Sequence, residues 1–229
     1  MRINKYISET GFCSRRETDR LIESHRITIN GVICEAGATV EEGDLVLIDG
    51  KPLGSKGELV YLLLNKPAGI TCTAAKHIEG NIIDFINYPE RIFPVGRLDK
   101  ASEGLILLTN DGDIVNKMMR SENNHEKEYI VTVDKPFSHS FIDGMANGVE
   151  ILGVKTKPCK VTRISDNVFR IILTQGLNRQ IRRMSKVFGY KVIKLERIRI
   201  MKIALANLPR GKWRELTQEE LVQLKGMLQ

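Results

Sequence analysis

The sequence predicts an α+β chain: a small N-terminal helix-helix-hairpin unit, then a larger domain on a mostly antiparallel mixed sheet. Three observations predict it. Apolar runs of strand length recur after residue 58, and long irregular connections separate many of them, which disfavours a doubly wound parallel sheet. Asn30-Gly31 joins two short runs and is the preferred two-residue hairpin turn, because both positions accept positive φ. Ser14-Arg15-Arg16-Glu17 has the form of a capping box and so marks a helix start near the N-terminus. A chain of 229 residues is long enough for two domains. We expect residues 1–50 to form the first, 51–58 (KPLGSKGE) a linker by composition, and 59–229 the second.

In order, residues 2–10 suit a short helix stopped by Gly11, and 15–24 a second one with a thin apolar stripe at Leu21 and Ile22. Arg15, Arg16 and Arg20 fall close together on the outer face of that helix. RITINGVIC reads as strand, turn, strand, and Gly43-Asp44 opens a further strand, LVLI. The larger domain starts with the apolar run LVYLLLN and the turn Lys66-Pro67-Ala68-Gly69. Strands are expected at 103–109, 128–134, 158–164, 167–174 and 190–201. Helices are expected at 111–120, 138–147, 178–188 and 217–228, the last opened by the capping box Thr217-Gln218-Glu219-Glu220.

Charge separates the two parts. The net is +7, yet residues 155–214 hold seventeen Lys or Arg against Asp166 and Glu196, a local net of +15. Residues 1–57 carry a net of −1. So concentrated a basic field faces a polyanion, with nucleic acid ahead of an anionic membrane because no amphipathic anchor with exposed aromatics is visible. Four scattered cysteines form no CxxC pair and, with four scattered histidines, no zinc spacing, so we expect reduced thiols and no metal. The apolar runs are too short to span a bilayer, and the first residues lack a signal-peptide core, which points to the cytoplasm.

Three clusters carry candidate chemistry. In VGRLDKASEGLILLTNDG, residues 95–112, glycines bracket Arg97-Leu98-Asp99 just ahead of a buried strand, so Asp99 reads as a solvated turn acid or as a reactive carboxylate on a rigid scaffold. Gly96 and Gly104 allow a tight turn or close approach to a ligand. Asp111 and Asp113 compete for the role of key acid, although helix capping explains them. In HEKEYIVTV, residues 125–133, strand alternation puts Lys127, Tyr129 and Val131 on one face, where Tyr129 is either core or a stacking platform for a base. In QGLNRQIRRMSKVFGY, residues 175–190, a helix buries Ile181, Met184 and Phe188. It exposes Arg179, Arg182, Arg183 and Lys186, suited to phosphates, unless one arginine turns inward to a buried acid.

The first fifty residues resemble the S-four RNA-binding module in the Ile3–Ile7 spacing, Ser14–Glu17, Ile29-Asn30-Gly31 and Gly43-Asp44, with Thr18 where that family usually has Ala. The larger domain resembles the RNA pseudouridine synthases of the RsuA branch. The matching residues are Lys66-Pro67 with Gly69; Arg97-Leu98-Asp99 with Ser102 and Gly104-Leu105; Lys127-Glu128-Tyr129; and Asn178-Arg179-Gln180-Ile181-Arg182-Arg183-Met184. His125-Glu126 and Lys194-Leu195-Glu196-Arg197 are most similar to the RluF type, which acts on 23S rRNA.

The resemblance implies isomerisation of uridine to pseudouridine in ribosomal RNA, without cofactor or metal and with no obligate protein partner. It implies Asp99 as nucleophile or base at the ribose, Arg182 as its cationic partner, and Tyr129 stacked on an everted uracil with Ile181 on the other side. Arg97 would fill the gap left by the base. Arg179, Arg183 and Lys186 would hold phosphates, and Arg15, Arg16 and Arg20 would contact RNA from the first module. The same chemistry on 16S rRNA or tRNA is an alternative target. Two rivals are a non-catalytic RNA-binding assembly factor and a nucleotide-handling enzyme; no GxxxxGK[ST] loop supports the latter.

Overall fold

The computed structural model describes residues 1–55, 57–75, 77–119 and 124–228. Lys56 of the expected linker and Arg120, the last residue of the expected helix 111–120, lie outside them. The chain divides into two units: residues 1–60 with 88–92 and 110–112, and the remainder.

In the first unit Ser14 starts α2 (Arg15–Glu23), which pairs with α1 (Ile3–Glu9). The Ser14 hydroxyl accepts from the Glu17 amide at 3.1 Å, but the Glu17 carboxylate takes Arg20, also at 3.1 Å, so half of the expected capping box forms. Asn30 and Gly31 take φ of 52° and 82°, which turns β1 (Ile27–Ile29) back into β2 (Val32–Ile33). The Asn30 side chain also ties this turn to the next strand, donating to Asp44 at 2.8 Å and accepting from the Leu45 amide at 2.9 Å. β3 (Val46–Ile48) lies beside β1, and Lys51–Pro52, inside the expected linker, forms β4 on β3. Ile3, Ile7, Leu21, Ile22, Ile27 and Ile48 are the core, one apolar face drawn from every element.

The second unit is built on one sheet. Its strands are β5 (Tyr61–Lys66), β6 (Phe93–Val95), β7 (Glu103–Thr109), β8 (Lys127–Val133), β11 (Lys160–Arg163), β12 (Val168–Leu173), β13 (Val192–Ile200), β14 (Ile203–Ala204) and β15 (Trp213–Glu215). A separate two-stranded ribbon holds β9 (Glu150–Ile151) and β10 (Val154–Lys155). The order across the sheet is β11-β12-β8-β13-β7-β5-β15, with β14 on β13 and β6 on β7. Every pairing in it is antiparallel except β13 with β7. That makes the sheet mixed and mostly antiparallel, as the sequence predicted. β5 and β7 are buried along their whole length, which fits their unbroken apolar runs.

Helices cover the sheet. α4 (Gly112–Met119) and α7 (Gln218–Gly226) contribute Ile114, Met118 and Leu224 to a core with Leu63, Leu105 and Leu107. α5 (His139–Ala146) brings Phe141 against Phe137 and Phe169, with ring centroids 5.1 and 5.4 Å away. α3 (Ile82–Ile86) is short and starts at Asn81, whose carboxamide accepts from the next two available amides. α6 (Gln180–Val187) buries Ile181 and Met184; Phe188 falls at its C-terminus, 37% exposed, because the helix ends one residue before the expected stripe does.

Candidate active site

Parallel neighbours run the same way, so the segments that precede β7 and β13 come to the same end of the sheet. Those segments are the Arg97–Ser102 loop and α6. Register sharpens the placement. Ile171, Tyr129, Arg197, Gly104 and Lys66 stand side by side across β12, β8, β13, β7 and β5. Paired residues project from the same face. Tyr129 is thereby placed two strands from Gly104, the start of β7, which the Asp99 loop leads into.

The loop is held at several points. The fully buried Lys66 ammonium donates to the carbonyls of Pro67 and Ser102, both at 2.8 Å. The Gly69 amide donates to the Lys100 carbonyl at 2.7 Å, and the Ser102 amide to the Asp99 carbonyl at 2.9 Å. The Leu98 amide donates to Cys72 Sγ at 3.4 Å. Burial pushes the Lys66 ammonium pKa down, and the nearby Asp99 and Glu103 carboxylates oppose that shift. So fastened, the loop leaves the Asp99 carboxylate 38% exposed. For Gly104 a tight turn or close approach to a ligand was expected, and the structure gives it a third use. Its φ is +100°, and a Cβ there would overlap the Arg197 backbone, so the strand itself makes the close approach.

α6 turns Arg182 inward. Its terminal nitrogens donate to the carbonyl of Val192 at 3.0 Å, the carbonyl of Ala101 at 3.2 Å and the Ser102 hydroxyl at 3.3 Å. These bonds aim the guanidinium so that Nε lies 3.9 Å from Asp99 Oδ2. That Nε is buried and has no hydrogen-bond partner among the described residues. Burial lowers the Arg182 pKa while Asp99 raises it, and the group stays a cation across the physiological range.

Around Asp99 opens a cleft of about 510 Å³. That lies within the roughly 300–1,000 Å³ that holds small-molecule-sized groups. Asp99 is the one acid among its described lining residues, against the cations Arg97, Lys100, Lys127, Arg179, Arg182 and Arg197. Tyr129, 9% exposed, and Ile181, 5% exposed, supply flat and branched apolar surface to the same cavity. A single carboxylate in a cationic, partly apolar cleft suits a base bracketed by phosphates.

Six of the residues read from the sequence, Asp99, Tyr129, Arg182, Arg97, Ile181 and Arg179, line this cleft. Arg183 and Lys186 are exposed and outside its lining; Arg183 instead donates to the Asn178 backbone carbonyl at 3.0 Å and side-chain oxygen at 3.2 Å, closing the start of α6. Arg15, Arg16 and Arg20 are exposed on α2 in the other unit. Asp111 and Asp113 are absent from the cleft lining. Sequence reasoning did not single out His125, Cys72 or Arg197 for the site. For Arg197 a signal was there: two residues after Leu195 on a strand, a charge takes an inward position.

The comparisons with known proteins fit this geometry. Residues 60–186 match the family model described as RNA pseudouridylate synthase, and residues 1–46 match the S4 domain. The chain belongs to the RNA pseudouridylate synthase family. It is 55% identical over 225 residues to the dual-specificity RNA pseudouridine synthase RluF of Salmonella typhi, covering 97% of this chain and 78% of that one. Against the ribosomal large subunit pseudouridine synthase B of Bacillus subtilis it is 34% identical over 236 residues, 99% of this chain and 96% of that one. A solved pseudouridylate synthase superposes with a TM-score of 0.72 at 30% identity, covering 98% of this chain and 99% of that one. The resemblance read from the sequence, including its similarity to the RluF type, is thereby shown. This pseudouridine synthase is an isomerase that acts on RNA and carries an S4 domain, a module that binds RNA. Among its described residues no helix is long and apolar enough to cross a membrane.

Proposed function

We propose that the enzyme converts a uridine of 23S ribosomal RNA to pseudouridine, with Asp99 acting at the ribose of a nucleotide turned out of its stack. The observation that carries this is the convergence of Asp99, Tyr129 and Arg182 on one cleft, with Asp99 Oδ2 and Arg182 Nε 3.9 Å apart. Eversion belongs to this reading because a base still in its stack is covered on both faces and cannot lie on Tyr129; turning one out costs roughly a few kcal/mol. Tyr129 offers a stacking face and Ile181 closes the other side.

Asp99 then either bonds C1′ or takes the C2′ proton; in both routes the C1′–N1 bond breaks, the base turns, and C5 joins C1′. Arg182 faces the carboxylate and orients it. Arg97, exposed next to Asp99 and planar, fills the stack that the base leaves. The cleft cations Lys100 and Arg179 take flanking phosphates. Residues 59–229 thus do the chemistry, while residues 1–50 grip a neighbouring RNA helix through Arg15, Arg16 and Arg20 and choose the site. A large-subunit target is supported by the name of the Bacillus subtilis relative, and the dual-specificity RluF relatives support a second RNA, with tRNA the candidate. No protein partner or cofactor is part of this reading, and its setting is the cytoplasm.

The test is Asp99→Asn. We expect a folded protein that binds RNA and yields no pseudouridine, read as carbodiimide-adduct stops on 23S rRNA transcript; normal turnover by the variant overturns the assignment. Mapping pseudouridine in 23S rRNA, 16S rRNA and tRNA from cells with and without the gene decides the target.

A further inference from the structure

Arg197 has no part in the roles assigned so far. It is 2% exposed, sits in the middle of β13 between Tyr129 and Gly104, and lines the cleft. Its Nε donates to the Leu105 carbonyl at 2.7 Å, which fixes the guanidinium plane. Its Nη2 is buried and has no hydrogen-bond partner among the described residues. A buried, charged N–H that has given up its water without an acceptor is costly, and native structures seldom leave one without a purpose. The neighbouring cations are engaged: Lys66 by two backbone carbonyls and Lys127 by the His125 carbonyl at 3.4 Å. Arg182 faces Asp99. Because Arg197 lines the cleft, a group seated there can supply that acceptor.

We propose that Arg197 contacts the reacting base, donating to a uracil carbonyl oxygen and stabilising the negative charge that the base carries on leaving the ribose. This rests on Tyr129 as the stacking platform and Asp99 as the group at the ribose. Residues paired across antiparallel strands have Cβ atoms about 4.5–5.5 Å apart on one face. A pyrimidine lying on Tyr129 therefore turns an edge toward the Arg197 guanidinium, and both uracil carbonyl groups lie on ring edges.

The electron balance names the moment of greatest effect. When C1′–N1 breaks, its electron pair stays with the base and spreads from N1 into O2 and O4. The ribose side is satisfied by a new bond from Asp99 to C1′, or by loss of the C2′ proton to Asp99. The Arg197 N–H then faces an anion instead of a neutral carbonyl, and a charge-assisted bond is stronger. Formation of C5–C1′ returns the pair, with Asp99 released or the C2′ proton given back. Loss of the C5 proton and protonation of N1 complete the isomerisation. A fixed donor aimed where charge develops raises kcat more than it tightens binding.

The experiment compares Arg197→Met with the unchanged enzyme on an RNA stem-loop bearing either uridine or 5-fluorouridine at the target, by single-turnover loss of that nucleoside. Fluorine stabilises the departing anion, so the leaving base needs less help. On uridine we expect the rate to fall about 100- to 1,000-fold, the loss typical of one oxyanion donor, with RNA affinity unchanged. On 5-fluorouridine the deficit should be at least about tenfold smaller. A near-normal rate on uridine, or an equal deficit on both substrates, overturns the proposal. If Arg197→Met lacks a cooperative melting transition, the same comparison is read on Arg197→Lys, where a partial deficit that shrinks with fluorine supports the proposal and an equal one overturns it. Asp99→Asn runs alongside: activity in that variant refutes the underlying reading, whereas a fault confined to the Arg197 arms refutes this inference alone.

Discussion

Gly104 and Lys66 show how single residues hold this site together. Gly104 combines φ of +100° with a backbone neighbour, Arg197, that leaves no room for a Cβ. Gly104→Ala therefore strains the chain and pushes β13 off β7. The expected loss is about 3 kcal/mol, from overpacking plus backbone strain, read as a lower urea midpoint with unchanged slope. Lys66 binds two carbonyls that frame the Asp99 loop. Lys66→Met takes the donor from the buried Ser102 carbonyl and from the half-buried Pro67 carbonyl, which costs roughly 2 kcal/mol, and frees the loop. Turnover should fall more than RNA affinity does, as kinetics at saturating RNA would report. The two residues differ in how far the sequence disclosed them. A glycine after Arg-Leu-Asp marks a special backbone position, but not the strand it presses against. Lys66 reads from the sequence as the start of a turn, and its burial stays hidden because its acceptors are carbonyls that only the fold brings close.

Helices of eight or more residues with a cap at their start were legible, to within two or three residues at either end. α7 illustrates why. Thr217 caps the Glu220 amide at 3.2 Å, and Glu220 returns to the Thr217 amide at 2.9 Å. Glu220 also holds Arg214 through two contacts of 2.7 Å, and this pair keeps its carboxyl below the usual 4.5. A depressed carboxyl pKa contributes stability above the unfolded value and loses it as pH falls through the folded one. Glu220→Gln should thus cost about 1 kcal/mol at pH 7 and almost nothing near pH 2, by paired denaturant curves. By contrast, β9, β10, β14 and β15 are two or three residues long, too short for period-two alternation to emerge, and α3 has five residues. β15 was missed because its partner, β5, is distant in the chain, whereas β9, β10 and β14 belong to local hairpins whose turns, Leu152-Gly153 and Met201-Lys202, lack the Asn-Gly signal.

At the scale of the whole molecule, seventeen bases against two acids between residues 155 and 214 set up a field for RNA. Binding should weaken on the order of 100-fold between 50 and 200 mM salt if about four phosphates are contacted. Filter binding across a salt series measures that slope. Arg15→Ala with Arg16→Ala should leave chemistry on a short target stem-loop near normal and lower the yield on whole rRNA, by pseudouridine mapping of both. The polyanion was legible because charge needs no fold to be counted. The cleft was legible only through motifs in family order, since nothing local in the chain announces that β13 lies parallel to β7. That one parallel pairing has a consequence in time. It joins strands some ninety residues apart, and such distant contacts form slowly. A nascent chain that has exposed Asp99 but not yet β13 lacks Arg182's inward aim and the middle of the cleft floor. The cleft is thus completed late, only once residues 192–200 have been made and paired with β7.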